Sequence, residues 1–165
     1  MDFLQTTLCY LEKDGCYLML HRVKKKNDAN HDKWVGVGGK FEPGEDALAC
    51  VMREVTEETG LTMQAPAYRG IVDFYCSPWP AERMHLYTCT QFAGIMTDCS
   101  EGTLEWVPKQ AVQALPIWQG DKIFFDLLAK DAPFFHLELF YNGDTLIRAV
   151  LDGEELPLHY AGCDC

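Results

Sequence analysis

The alternation of apolar and polar residues is the dominant pattern of this chain, and it predicts β-strands along most of its length. The predicted strands cover residues 3–11, 16–23, 67–76, 82–92, 104–107, 134–141 and 145–151, and residues 34–39 are predicted to form a short strand that runs into a glycine turn. Asp14-Gly15 lies between the first two strands and Asn142-Gly143 between the last two, and both dipeptides favour tight hairpin turns. The sequence therefore predicts one hairpin near each end of the chain.

A helical period replaces this alternation in the middle of the chain. One face of residues 45–59 is apolar and carries Ala47, Leu48, Val51 and Val55. Pro43-Gly44 precedes this stretch and Gly60 follows it, and these are ordinary signals for the start and the end of a helix. Residues 108–115 and 121–130 are predicted to form two further helices.

Strands mixed with helices predict a single α/β domain with a mixed β-sheet. A length of 165 residues suits one domain with a sizeable core. We assign residues 1–158 to this domain and expect residues 159–165 to form a flexible C-terminal tail. The chain contains eight cysteines but no CxxC pair, so neither a disulfide framework nor a zinc site is favoured.

The charge and hydropathy of the chain limit its partners. A net charge of −11 is the opposite of the basic footprint that binding to a nucleic-acid polymer requires. No apolar run reaches the length of a membrane span and the N-terminus does not look like a secretory signal, so we expect a cytoplasmic protein without a membrane partner. A small polyanion remains a suitable partner if metal ions mediate its binding. The sequence leaves open whether the protein is a monomer or a homodimer.

Three carboxylates share one face of the predicted central helix. Glu54, Glu57 and Glu58 lie three and four residues apart, so a helix brings them into one small volume. Anions held this close repel one another unless a cation lies between them, and Mg²⁺ prefers oxygen ligands and commonly links carboxylates to phosphates. A solvated acidic helix face is the usual alternative, but the apolar opposite face and the flanking glycines favour a site. The pattern predicts metal-assisted attack on a phosphate chain.

The register of this stretch resembles a known motif. Residues 39–61 match the Nudix box, Gly-x5-Glu-x7-Arg-Glu-U-x-Glu-Glu-x-Gly-U with U aliphatic, at every defined position. The resemblance to Nudix hydrolases implies an α/β/α sandwich, a Mg²⁺ cofactor that Mn²⁺ can replace, and hydrolysis of a nucleoside diphosphate linked to a further group. It also implies a role for each box residue: metal ligation by Glu54, Glu57, Glu58 and the carbonyl of Gly38, orientation of these glutamates by Arg53, and bracing of the loop by Glu45.

Outside the box the chain is similar to the MutT-type 8-oxo-dGTP diphosphatases, which act in nucleotide-pool sanitation. This similarity covers residues 34–41, 115–118 and 121–130 and the final hairpin. It implies cleavage of a nucleoside triphosphate to a monophosphate and pyrophosphate. In that group a glutamate five residues before a Trp binds metal or helps to deprotonate water. Glu101 stands five residues before Trp106 and is our candidate, with Glu105 and Asp98 as rivals. Glu57, Glu58 and Glu101 are the candidates for the general base.

Base recognition is the part of the resemblance from which this chain departs. The vertebrate enzyme of the group uses an Asn directly after the Trp equivalent to Trp34, where this chain has Val35. It also uses two adjacent acids after a second Trp, and here only Asp121 remains of that pair. Selection of 8-oxoguanine by the same contacts is therefore not expected. The candidate substrate-binding residues are Lys25, Val35, Gly39, Lys40, Phe74, Met84, Trp118, Gln119 and Asp121.

Two alternative functions stay open at this point. One is hydrolysis of another diphosphate compound, such as a nucleotide sugar, a dinucleoside polyphosphate, a capped RNA end or an isoprenoid diphosphate, because the box binds only the diphosphate. The other is a sensing module that binds a nucleotide without cleaving it. Such modules usually lose one or more box glutamates, whereas this chain retains all of them.

Overall fold

A computed structural model describes residues 2–24 and 30–158. The described residues form eleven strands, two α-helices and one 3-10 helix. In chain order these are β1 (Leu4–Lys13), β2 (Cys16–His21), β3 (Trp34–Val35), α1 (Ala47–Thr59), β4 (Leu61–Gln64), β5 (Ala67–Ser77), β6 (Glu82–Cys89), β7 (Gln91–Gly94), β8 (Thr103–Pro108), the 3-10 helix (Lys109–Ala114), α2 (Asp121–Ala129), β9 (Phe135–Asn142), β10 (Thr145–Leu151) and β11 (Glu154–Leu156).

Nine of these strands form one mixed sheet. Its order is β11-β10-β9-β5-β6-β1-β2-β3, and β8 pairs with β2 beside this path. The pairs β1–β6 and β5–β9 are parallel, whereas the other pairs of this sheet are antiparallel. Strands β4 and β7 form a separate antiparallel pair. The mixed sheet and both predicted hairpins are therefore confirmed.

The first hairpin connects two parts of the sheet. Strand β1 pairs with β2 only at its end, where Glu12 lies opposite Tyr17 and Lys13 opposite Cys16. The earlier part of β1 is flanked on that side by residues 36–41, with isolated bridges from Cys9 to Val37 and from Thr6 to Lys40. The glycine-rich segment therefore lies directly beside a central strand.

The two α-helices cover opposite faces of the sheet. Helix α1 packs on β1 through Cys50, whose Sγ lies 3.4 Å from the Thr7 hydroxyl. Helix α2 contacts Tyr10 through Phe125, with ring centroids 4.9 Å apart. Because side chains alternate along a strand, Thr7 and Tyr10 point to opposite faces of β1. The chain is thus a single domain with an α/β/α arrangement, and no helix among the described residues is long and apolar enough to cross a membrane.

Helix α1 ends at Gly60 as the sequence predicts, but it begins at Ala47, so Glu45 and Asp46 precede its first turn. The Asp46 carboxylate accepts a hydrogen bond from the Ala49 N–H at the N-terminus, and Gly60 adopts a φ of 80° at the C-terminus. The buried face of α1 differs from the predicted apolar face at one residue, because Leu48 is 50% exposed. Cys50 takes its place in the buried face, since that face is directed at Thr7 and the Gly39 carbonyl.

Candidate active site

The glycine turn of the site is held against β1 by backbone hydrogen bonds. The Thr7 N–H donates to the Gly39 carbonyl at 2.9 Å, and the Phe41 N–H donates to the Gln5 carbonyl at 3.1 Å. Gly38 has a φ of 155°, and a Cβ there would lie 2.0 Å from the Thr7 carbonyl oxygen. The turn therefore requires glycine, both for its conformation and for its approach to the strand.

The same turn contacts two box glutamates. A Cβ on Gly39 would lie 2.6 Å from the carboxyl group of Glu54, so only glycine allows that carboxyl to reach the backbone. The Gly38 N–H donates to Oε2 of Glu58 at 3.2 Å. Glu54, Glu57 and Glu58 all line one cleft with Gly38 and Glu101. The structure therefore brings together the five groups that the sequence predicts as metal ligands.

The electrostatics of this group favour a bound cation. Burial, together with the negative charges of Glu101 and Glu54, raises the pKa of Glu58 to about 8. The donor set consists of carboxylate and carbonyl oxygens, which are the ligands that Mg²⁺ and Mn²⁺ prefer. The residues present therefore fit a divalent metal ion.

Arg53 links the glutamates of the box to one another. Its Nε and Nη2 atoms donate to the Glu45 carboxylate at 2.7 and 2.9 Å, and its Nη1 atom donates to Glu54 at 2.6 Å and to Glu57 at 3.1 Å. Hydrogen bonds from Arg53 and from the Glu42 N–H lower the pKa of Glu45 to about 2. This geometry is the one expected for an orienting arginine and a bracing glutamate.

Glu101 enters the cleft from the segment before β8. Its carboxylate lies 3.1 Å from Nη1 of Arg22, and both side chains line the cleft. The rivals Glu105 and Asp98 do not line it, and Glu105 is exposed on β8. Arg22 was not predicted from the sequence. It directly follows β2, and Glu101 precedes β8, the strand that pairs with β2, so this pairing could have indicated the contact.

The other end of the cleft is apolar and aromatic. The whole cleft has a volume of about 1050 Å³, and this end is lined by Val35, Phe74, Met84 and Trp118. The Trp118 ring packs edge-on against Phe74 at 4.9 Å between centroids, and its Nε1 donates to Oδ1 of Asn30 at 2.6 Å. These contacts hold the ring in place, and Nζ of Lys33 lies over it at 4.4 Å from the ring centroid.

Asp121 is a buried acid at this end of the cleft. It is the first residue of α2 and is 5% exposed. Burial raises its pKa to about 8, although the charge of Lys33 acts in the opposite direction. A carboxyl group that keeps its proton at neutral pH can donate a hydrogen bond as well as accept one.

One predicted substrate-binding residue, Gln119, is not among the described residues that line the cleft. Its Oε1 accepts a hydrogen bond from the Leu146 N–H at 2.7 Å, which joins the segment before α2 to β10. Lys25 lies outside the described residues. The predicted residues Gly39 and Lys40 do line the cleft. The cleft is also lined by several residues that the sequence analysis did not predict: Thr6, Arg22, Asn30, Glu42, Trp79 and Glu82.

A second group of acids and histidine lies away from this cleft. Ligand atoms of Asp73, His136 and Glu138 lie within 4.8 Å of one another, and none of these residues lines the cleft. Arg83 already holds the Asp73 carboxylate with two hydrogen bonds of 2.8 Å. Burial alone would raise the pKa of Asp73, but the hydrogen bonds from Arg83 and His136 hold it below its ordinary value. This group is an internal ion-pair network.

An α/β/α sandwich whose glycine turn meets a glutamate-rich helix defines a class of hydrolases acting on phosphorus-containing anhydrides. A family model described as the NUDIX domain matches residues 4–128. The chain therefore belongs to the Nudix family and is a pyrophosphohydrolase. Nudix hydrolases generally use divalent metal ions and act on small nucleotide substrates.

The similarity to known proteins extends over most of the chain. The uncharacterized Nudix hydrolase YvcI of Bacillus subtilis (strain 168) is 30% identical over 166 residues, which are 94% of this chain and 99% of the relative. The oxidized purine nucleoside triphosphate hydrolase of Danio rerio is 25% identical over 132 residues, covering 79% of this chain and 85% of that protein. A crystal structure of a mutator MutT protein from Bacillus halodurans has a TM-score of 0.78 and 30% identity, with coverage of 91% and 98%. The resemblance to MutT-type enzymes is thus confirmed.

The raised pKa of Asp121 predicts how stability depends on pH. The folded state holds this proton more tightly than the unfolded chain, whose ordinary pKa is 3.8, so the contribution is complete below pH 3.8 and is lost as the pH rises to about 8. Relative to Asp121→Asn, the wild-type free energy of unfolding should fall across this range, by up to about 1.4 kcal/mol per pH unit.

Urea denaturation from pH 5 to pH 9 in the presence of a chelator measures this difference. Asp131→Asn removes one negative charge from an exposed residue and serves as the control. Parallel stability curves for the wild type and Asp121→Asn would show that Asp121 is ionised in the folded protein and would contradict the prediction.

Proposed function

We propose that this protein hydrolyses a purine nucleoside triphosphate to the monophosphate and pyrophosphate, with Mg²⁺ as cofactor and Mn²⁺ as a substitute. One observation carries the proposal. A single cleft is lined both by grouped glutamates and by aromatic side chains. A nucleotide has the same two parts, a polyanionic chain and a flat base.

The metal ligands we propose are Glu54, Glu57, Glu58, Glu101 and the carbonyl of Gly38. When bound, the ions lower the pKa of a coordinated water and neutralise oxygens of the phosphate chain. Two features support this set. The cleft offers carboxylate and carbonyl oxygens as metal ligands, and its acidic side chains outnumber its basic ones. Arg53 is engaged by Glu45, Glu54 and Glu57, so it holds these carboxylates in place and does not balance all of them.

The protein's own side chains position the reactants. Water attacks an internal phosphorus atom of the substrate, and its proton passes to a carboxylate among Glu57, Glu58 and Glu101. The ion pair with Arg22 at 3.1 Å fixes the direction of Glu101. The backbone of Gly39 and Lys40, beside these glutamates, lies close enough to the cleft to accommodate the phosphate chain. Pyrophosphate leaves, and the nucleoside monophosphate remains between the aromatic residues.

The substrate class we propose is oxidised purine nucleotides such as 8-oxo-dGTP, and the role is nucleotide-pool sanitation. The similarity to the oxidized purine nucleoside triphosphate hydrolase of Danio rerio supports this class. Trp118, Phe74 and Met84 supply a surface for stacking, and protonated Asp121 supplies a hydrogen-bond donor for an acceptor on the purine edge. Val35 cannot make the contact of the vertebrate Asn, so Asp121 has the larger part in base recognition.

The direct test of this function is pyrophosphate release from a panel of ordinary and oxidised nucleoside triphosphates in the presence of Mg²⁺. We expect kcat/KM for 8-oxo-dGTP to exceed that for dGTP by about tenfold or more, since a buried donor that loses its acceptor costs roughly 1–3 kcal/mol. Slow and equal rates across the whole panel would contradict the proposed substrate class. The chemistry of the box would then apply to another diphosphate.

The metal-ligand assignment is tested by Glu58→Gln. Turnover should fall by about a hundredfold or more because the neutral amide weakens metal binding. Folding should survive, because an amide oxygen can still accept the hydrogen bond from the Gly38 N–H. Circular dichroism and the rise in Tm on addition of Mg²⁺ separate loss of metal binding from loss of structure. The matched control is Glu105→Gln, which makes the same charge change on the exposed side of β8, and full activity of Glu58→Gln would refute the assignment.

A further inference from the structure

Glu101, the proposed metal ligand that lies outside the box, is carried by a tight turn. Cys99 and Gly102 form an isolated β-bridge, so Ser100 and Glu101 are the two residues at the tip of this turn. Glu58 and Glu101 both line the cleft, and their like charges repel each other. A carboxylate at the tip of a turn can move away from such repulsion unless other contacts hold the turn in place.

Lys24 makes two hydrogen bonds to this turn. Its Nζ atom donates to the Cys99 carbonyl at 2.8 Å, and its backbone N–H donates to the Glu101 carbonyl at 3.3 Å. Cys99 is buried whereas Lys24 is exposed, so the ammonium group reaches a carbonyl of the core from the surface. The two bonds lie on either side of Ser100, and together they limit the movement of the turn that carries Glu101.

The turn also lies directly against the chain that leads to Lys24. The pairing of β8 with β2 ends at His21, and Gly102 follows beyond this ladder. A Cβ on Gly102 would lie 1.9 Å from the His21 carbonyl oxygen, so this contact leaves no room for a side chain. On its other side, the segment before the turn is attached to the end of α1, because the Thr97 N–H donates to the Thr59 carbonyl at 2.8 Å. The contacts of Lys24 therefore complete the attachment of the turn between α1 and the chain after β2.

We propose that Lys24 is a positioning residue for metal binding, which acts through Glu101 by fixing the turn that carries this carboxylate. The inference rests on the proposed function, because it takes Glu101 as a metal ligand. Arg22 contacts the Glu101 carboxylate itself, whereas Lys24 holds the backbone of its turn. Loss of a contact that orients a metal ligand typically lowers metal affinity or activity by roughly 10–100-fold.

The experiment measures the dissociation constant of Mn²⁺ without nucleotide, from the electron paramagnetic resonance signal of free Mn²⁺. Lys24→Met removes the ammonium group and retains most of the side-chain length, and we expect it to weaken binding by about tenfold. Loss of a positive charge would by itself tighten the binding of a cation, so weaker binding must come from the turn. Lys24→Arg keeps a charged donor and should restore most of the affinity. The matched control is Lys109→Met, which makes the same charge change beside Glu12, away from the cleft, and should not weaken binding.

A second background shows whether Lys24 acts through Glu101. We expect Glu101→Gln to weaken Mn²⁺ binding, and Lys24→Met to weaken it no further in the Glu101→Gln protein, because two residues that act as a unit have non-additive effects. Wild-type Mn²⁺ affinity in Lys24→Met would overturn the inference. An equal loss of affinity from Lys24→Met in both backgrounds would also overturn it, since Lys24 would then act elsewhere.

The outcomes separate this inference from the proposed function, because Mn²⁺ binding is measured without substrate. If the wild type releases pyrophosphate from no nucleoside triphosphate, the proposed substrate is overturned, while weaker Mn²⁺ binding by Lys24→Met still supports the inference. Wild-type Mn²⁺ affinity in Glu101→Gln would remove Glu101 from the ligand set and overturn the inference with it. Should circular dichroism show that Lys24→Met does not fold, Lys24→Gln supplies the test, because it also loses the charge that strengthens the hydrogen bond and should weaken binding in the same way.

Discussion

The approach of the Gly38-Gly39 turn to helix α1 is the contact on which the rest of the site depends. The turn is held in place by β1, through backbone hydrogen bonds on either side of it. The helix is held on the same strand by Cys50, which contacts both Thr7 and the Gly39 carbonyl. A Cβ on Gly39 would displace the Glu54 carboxyl from the turn, and a Cβ on Gly38 would lie 2.0 Å from the Thr7 carbonyl oxygen of β1. Two glycines therefore allow a backbone carbonyl and the carboxylates of α1 to surround one small volume.

The balance of charge in this volume explains how an acidic protein can act on a polyanion. One guanidinium, Arg53, contacts Glu45, Glu54 and Glu57, and Arg22 contacts Glu101. These two cations do not neutralise the whole group, and the pKa of Glu58 is raised by its burial and, in addition, by the negative charges of Glu101 and Glu54. A divalent ion relieves this repulsion and at the same time provides the positive charge that phosphate oxygens require. The net charge of −11 is thus compatible with a nucleotide substrate when metal ions lie between the two.

The sequence predicted the grouping of the box glutamates better than the aromatic lining of the cleft, for a physical reason. The box lies within one helix and its flanking turns, where spacings of three and four residues determine which side chains share a face. The aromatic lining comes from separate elements, because Phe74 is on β5, Met84 is on β6 and Trp118 follows the 3-10 helix. Gln119 was assigned to the substrate by its position beside Trp118, but its side chain bonds to β10. Strands β4 and β11 were not predicted, and β7 was not separated from the predicted strand 82–92.

The central claim is that the carboxylates beside the glycine turn hold divalent metal ions against a phosphate chain. The most direct measurement is the anomalous diffraction of Mn²⁺ in crystals grown with a non-hydrolysable nucleoside triphosphate analogue. We expect Mn²⁺ peaks between the phosphate oxygens and the group formed by Glu54, Glu58 and the Gly38 carbonyl. A peak at the separate group of Asp73, His136 and Glu138 with none in the cleft would contradict metal binding beside the glycine turn.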